Sequence, residues 1–160
     1  MKYTIQHIED EDSQKILNII NRFWNEAFVV IHGKIFYPTQ LLGIKAVHKD
    51  RIIGILHYLI QDDICEIVTL ASLSESQGIG KKLITTVEGI ALYHHCECLQ
   101  VTTSNDNLPA LGLYQKLGFC LVQLKAGQME ESRKLKPSIP ALGYRNIPIR
   151  DELILEKPLV

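Results

Sequence analysis

"LSESQGIGKKLI", residues 73–84, joins an apolar, strand-like run ending at Leu73 to a segment with helical apolar spacing. Ser76-Gln77-Gly78-Ile79-Gly80 therefore opens a helix directly from a strand. Backbone N–H groups in a first helical turn have no intrahelical partner. Glycines let that backbone approach a ligand, and the helix dipole favours an anion there. Lys81 and Lys82 add positive charge beside it. Taken alone, the segment fits a phosphate-binding turn and, equally, a tight turn whose glycines serve geometry only. Two known phosphate loops are excluded. A P-loop would need Gly at Glu75 and Ser or Thr at Lys82, and a dinucleotide fingerprint would need Gly at Leu83.

Working outward, YTIQHI (3–8) alternates as a strand, and residues 10–25 carry Ile16, Ile20 and Phe23 at helical spacing, continued by Ala27, with Asp10 or Asp12 as cap. FVVIHGKIFYPTQL gives no clear period. GIKAVHK, RIIGILHYLI and ICEIVTLASL then follow as strands joined by Lys49-Asp50 and Asp62-Asp63, turns short enough for antiparallel hairpins. The middle strand is apolar at nearly every position, so both its faces are covered and helices lie on both sides of the sheet. A helix from Gly78 to about His94, the strand CLQVTT, a short helix from Asn107 to Leu117, and the strands FCLVQL and ELILEKPL complete the pattern. The fold class is α/β (α+β): a mixed, mainly antiparallel sheet with helices on both faces, in a single domain over residues 1–160.

A net charge of -1 gives no general attraction to nucleic acid or to an anionic membrane. The N-terminus has no secretory pattern and no run approaches the ~20 apolar residues that span a bilayer, so the expected location is cytoplasmic. Cys65, Cys96, Cys98 and Cys120 sit in strand-like apolar segments and read as buried thiols, not a disulfide frame. His94-His95-Cys96-x-Cys98 matches no common structural zinc spacing, and no metal is expected.

A second stretch, "TTSNDNLPALGLYQKLGF" (102–119), decides between the two readings of the glycine turn. Strand, then Asn107-x-x-Ala110, then Tyr114-x-x-Leu117-Gly118-Phe119 resembles the second half of the acetyl-CoA-binding core of the GNAT superfamily of N-acetyltransferases. The first half aligns too: Glu66 on the fourth strand, then the loop ending Gly78-Ile79-Gly80. The resemblance runs from about Ile52 to Leu124 and is looser over residues 1–51. One position departs, since Glu75 stands where the family loop carries Gln or Arg.

The resemblance implies an acetyl-CoA-dependent enzyme that acetylates a primary amine of a small-molecule or peptide acceptor by direct attack, with a homodimer possible; a non-catalytic acyl-CoA-binding sensor or an interaction domain is the alternative. Gln77, Gly78, Ile79, Gly80, Lys81 and Lys82 would hold the pyrophosphate of coenzyme A, and the backbone of Thr69 to Leu73 (Leu70, Ala71 and Ser72 included) would pair with the pantetheine arm. Leu70 N–H would stabilise the oxyanion, Tyr114 would supply a proton or hydrogen bond to the departing thiolate, and Glu66 would act as base. Asn107 and Ala110 would contact the cofactor. Each residue also has a plain reading: a core-edge tyrosine for Tyr114, a solvent-facing glutamate for Glu66, a helix cap for Asn107. Residues 125–150 hold six Lys or Arg against two Glu. There Arg133, Lys134, Lys136 and Arg150 are candidates for binding a carboxylate or phosphate on the acceptor, or are ordinary surface charge.

Overall fold

The computed structural model describes residues 1–74 and 77–159. Its elements are β1 (Thr4–His7), a 3₁₀ turn, α1 (Ser13–Trp24), β2 (Val29–Ile31), β3 (Lys34–Phe36), β4 (Leu42–His48), β5 (Arg51–Gln61), β6 (Ile64–Ser72), α2 (Ile79–Tyr93), β7 (Cys98–Ser104), α3 (Leu108–Lys116), β8 (Cys120–Lys125), α4 (Gln128–Leu135) and β9 (Glu152–Pro158). Seven strands form one sheet in the order β1-β4-β5-β6-β7-β9-β8. Only β6 and β7 run parallel; every other neighbouring pair is antiparallel. This is the mixed sheet that the sequence implied.

β5 is covered on both faces, as its apolar run requires. On one face α2 contributes Ile79, Leu83, Ile84, Val87 and Ala91 to a core with Ile44, Leu56, Tyr58 and Ile67. On the other, Ile16, Ile19 and Ile20 of α1 pack on Ile55 and Ala71. Phe23, expected on this buried stripe, is 42 % exposed, and Ala27 lies beyond the helix end. Neither Asp10 nor Asp12 caps α1 through its side chain. Asp12 instead accepts from the backbone N–H of Glu9 and pairs at 2.6 Å with buried Lys45.

The stretch without a clear period is a two-stranded hairpin. Val29–Ile31 pairs with Lys34–Phe36 across His32-Gly33, and both turn residues have positive φ (57° and 70°), as a two-residue turn of this hand demands. Residues 125–150, read as a polar connection, contain α4. The cysteine reading needs correction as well. Cys65 and Cys96 are buried, but Cys98 is half-buried and Cys120 is exposed, because β8 is the edge strand. Cys96 lies in the turn after α2, not in a strand.

His57 is fully buried beneath α1, with its backbone N–H and ring both bonded to Thr69 Oγ1 (3.0 and 2.7 Å). A Cβ at neighbouring Gly43 would come within 2.8 Å of the ring, so only glycine fits beside it. Burial pushes His57 down to about 4. The unfolded chain therefore binds the extra proton between about pH 6.5 and 4. His57's contribution is whole above 6.5 and is lost as the pH falls towards 4, by roughly 3 kcal/mol at most. Thermal melts of His57→Asn should show a shallower decline across that window than the parent protein; parallel slopes would refute this.

Candidate active site

The site begins where β6 and β7 separate. Their parallel pairing ends at Ile67↔Val101, while β6 stays paired with β5 as far as Ser72 and β7 with β9 as far as Ser104. The register of β6 on β5 skips Val68, a bulge of the kind that turns one strand away from its neighbour. Beyond it, Val68–Ser72 and Thr102–Ser104 face each other without a ladder. Backbone donors and acceptors on these two edges are open to an extended ligand. Leu70, Ala71 and Ser72 lie on this run, with Ala71 buried against α1 and the other two half-buried; Leu73 follows it, half-buried, but its N–H is spent on Ile53 O (2.8 Å) and is not free for the pantetheine arm.

At the end of the gap, Gly78 (φ 66°) turns the chain into α2. Gln77, Gly78, Lys81 and Lys82 are exposed and Gly80 is half-buried, whereas the Ile79 side chain is core, leaving its backbone alone for a ligand. Glu75, where the sequence departs from the family loop, lies outside the described residues. Asn107 caps α3, accepting from Ala110 N–H at 3.3 Å, and it also borders the cavity described below. Tyr114 is 6 % exposed and packs at a tilt against Phe119, ring centroids 5.6 Å apart; burial raises its phenol to about 12.

A cavity of about 310 Å³ opens at the gap on the α1 face. Trp24, Val29 and Ile31 wall one side, Val68, Thr102 and Ser104 the floor, and Lys136, Ile139 and Glu152 the far side. Of the four basic residues singled out in 125–150, only Lys136 lines it. Lys136 is 4 % exposed, donates to Phe28 O (3.0 Å) and sits over the Phe28 ring. Burial pulls its pKa below the usual lysine value. Arg133 braces its own segment instead, donating to the carbonyls of Ile139, Pro140 and Ile149 and pairing with Glu130. Lys134 pairs with Glu131 on the outside, and Arg150 is exposed.

Glu66 does not line this cavity. It borders a second one, of about 350 Å³, with His32, Lys34, Phe36 and Gln100. Its carboxylate meets His32 Nε2 at 2.8 Å, and on the other side of the ring Nδ1 lies 3.2 Å from Glu152. Glu152 is buried and also accepts the His32 backbone N–H. Lys125 Nζ stands 3.1 Å from Nδ1. Glu152 and then Glu66, acting against burial, raise His32 to about 9. His32, Glu152 and Lys125 escaped the sequence reading because three distant segments bring them together. The Val-Val-Ile-His-Gly-Lys-Ile-Phe pattern, two apolar runs about a His-Gly pair, was the signal for the turn that positions His32.

The fold is that of acetyltransferases, among them the IAA acetyltransferase from Bacillus cereus ATCC 14579 (TM-score 0.76, 23 % identity, 99 % of this chain and 100 % of that one). Another is a GNAT family acetyltransferase from Elizabethkingia anophelis solved with acetyl-CoA bound (TM-score 0.70, 20 % identity, 98 % of each chain). The sequence profile of the acetyltransferase (GNAT) family matches residues 7–119, and the chain belongs to that family. It is 37 % identical over 139 residues to the uncharacterized protein YxbD of Bacillus subtilis (strain 168), covering 86 % of this chain and 87 % of that protein.

The carbonyl cluster around Arg133 carries a structural prediction. A lysine ammonium donates from one atom and cannot reproduce bonds made from both Nε and Nη2, and each charged hydrogen bond is worth roughly 1.5–3 kcal/mol. Arg133→Lys should lower Tm by several degrees and speed amide exchange selectively in residues 139–150; uniform exchange across the chain would contradict it.

Proposed function

We propose that the protein transfers the acetyl group of acetyl-CoA to the primary amine of an acceptor that also carries an anionic group. The observation that carries this reading is the gap of unpaired edges between β6 and β7, bordered by a glycine-bearing helix start and by a cavity. Acetyl-CoA supplies an activated thioester. The chain's residues bind it, orient it and manage one proton.

The backbone of Gln77 to Lys82, with the α2 dipole, holds the pyrophosphate. The free edge of Leu70–Ser72 pairs with the pantetheine arm, and Leu70 N–H faces the oxygen that gains charge during attack. Asn107 borders the same opening. A thiolate near pKa ~8.5 is a weaker base than the Tyr114 phenolate, whose acid sits at about 12. Tyr114 therefore acts as a hydrogen-bond donor that stabilises the leaving sulfur, not as a full proton donor. Glu66 is the carboxylate that serves as base for the amine's proton.

Two experiments address the cofactor half. Gly80 has room, since an added Cβ would meet only Leu113 at an ordinary 3.6 Å. Gly80→Glu should therefore fold while repelling a phosphate, and calorimetric titration should lose its acetyl-CoA signal. Tyr114→Phe should bind acetyl-CoA as before but turn over about 10- to 100-fold more slowly. Unaltered binding in Gly80→Glu would remove the reading.

Lys136 supports the anionic half of the acceptor. One of its donors is taken by Phe28 O, leaving others for a ligand at the cavity wall. Steady-state kinetics of Lys136→Met should show KM for an amino acid such as β-alanine raised about tenfold or more, with ethylamine unaffected. An equal loss for both amines would leave Lys136 without a role in selection.

A further inference from the structure

We infer that Glu152, His32 and Glu66 form a proton path from the acceptor cavity to a separate, solvent-facing cavity, with Glu152 as the group that meets the acceptor's ammonium. This inference rests on the acetyltransferase reading above. The geometry is that of a bridge. Glu152 borders the first cavity, Glu66 borders the second, and the imidazole of His32 stands between them with one nitrogen on each carboxylate. Because the carboxylates lie on opposite sides of the ring, they do not converge on one point as ligands of a common ion would.

Each element around His32 contributes a group. β6 brings Glu66 to Nε2, β9 brings Glu152 to Nδ1, β8 brings Lys125 to Nδ1, and β7 brings Thr102 Oγ1 to 3.5 Å from Nε2. Lys34 of β3 and Asp62 share the second cavity. The two carboxylates favour the imidazolium, and Lys125 Nζ is placed to donate to Nδ1 once that nitrogen is bare.

The balance is simple. An N–H bond of the acceptor ammonium breaks as a Glu152 oxygen takes the proton. The proton passes to Nδ1 of a neutral His32, making imidazolium, which gives its Nε2 proton to Glu66. Glu66 releases it to water in the second cavity. Exchange of the ring nitrogens with that water restores the starting tautomer, and the His32 side chain is 20 % exposed. One proton has moved from amine to solvent, and every protein group regains its charge.

The path runs only when Nδ1 is free of its own proton, so turnover should rise with pH towards about 9, where His32 titrates. Replacing Glu66 by Gln removes one of the charges that hold the imidazolium. The midpoint of this rise should then move to lower pH. A structural role for Glu66 would lower the rate without moving the midpoint.

The test combines three measurements on the same samples. Imidazole ¹⁵N NMR should find His32 titrating well above 6.5 in the parent protein and lower in both Glu66→Gln and Glu152→Gln. Acetylation of β-alanine and ethylamine should fall about 100-fold in His32→Gly, a variant suited to the positive φ of that position, and added imidazole should restore about tenfold of it. Calorimetry with acetyl-CoA should find binding intact in every variant. A His32 that titrates near 6.5, or a rate lost in His32→Gly with binding kept and imidazole without effect, overturns the path alone. Absence of acetyl-CoA binding in the parent overturns the acetyltransferase reading and the path with it.

Discussion

The parting of two parallel strands governs this molecule. β6 and β7 are each held firmly on their outer side, by β5 and β9, so separating their inner edges beyond Ile67 and Val101 leaves the sheet intact. Backbone groups that would otherwise pair stay available, at the cost of needing a ligand or water. The bulge at Val68 directs the separation, and the side chain of Val68 packs with Val29 and Ile31. Cavity, glycine turn and proton-carrying cluster all stand around that opening.

The local parts of the architecture were legible in the sequence. Alternation and two-residue turns revealed the β4–β6 meander, the apolar run of β5 implied cover on both faces, and Asn107 marked the start of α3. The β2–β3 hairpin was not, because three-residue strands give too short a period to detect. α4 was missed for a related reason: QMEESRKL buries Ser132 but almost no apolar surface, so it lacks an amphipathic stripe.

For the site, the division follows sequence distance. Gly78, Gly80, Asn107 and Tyr114 lie within two compact stretches whose spacing carries meaning. His32, Glu152 and Lys125 acquire theirs only when β2–β3, β8 and β9 meet Glu66. Charge counting in 125–150 could not tell Arg133, bonded to its own segment's carbonyls, from Lys136, turned to the cavity. His32 is also held at a φ that side chains rarely adopt, and the Glu152 carboxylate fastens its backbone N–H. Turn and chemistry thus share one anchor.

The segment between β8 and β9 has a consequence for how such a protein can change over generations. Its bonds are largely internal, through Arg133, or made to the turn after β7, where Asp106 accepts from Tyr144 N–H and Asn105 bonds Pro148, Arg150 and Asp151. A Cβ on Gly143 would collide with the Asp106 carboxylate, which fixes the approach of the two. The family profile ends at residue 119, before this segment starts. One side of the cavity is thereby a largely self-contained part. Substitutions between its fastenings can alter what enters while the strand gap is inherited unchanged.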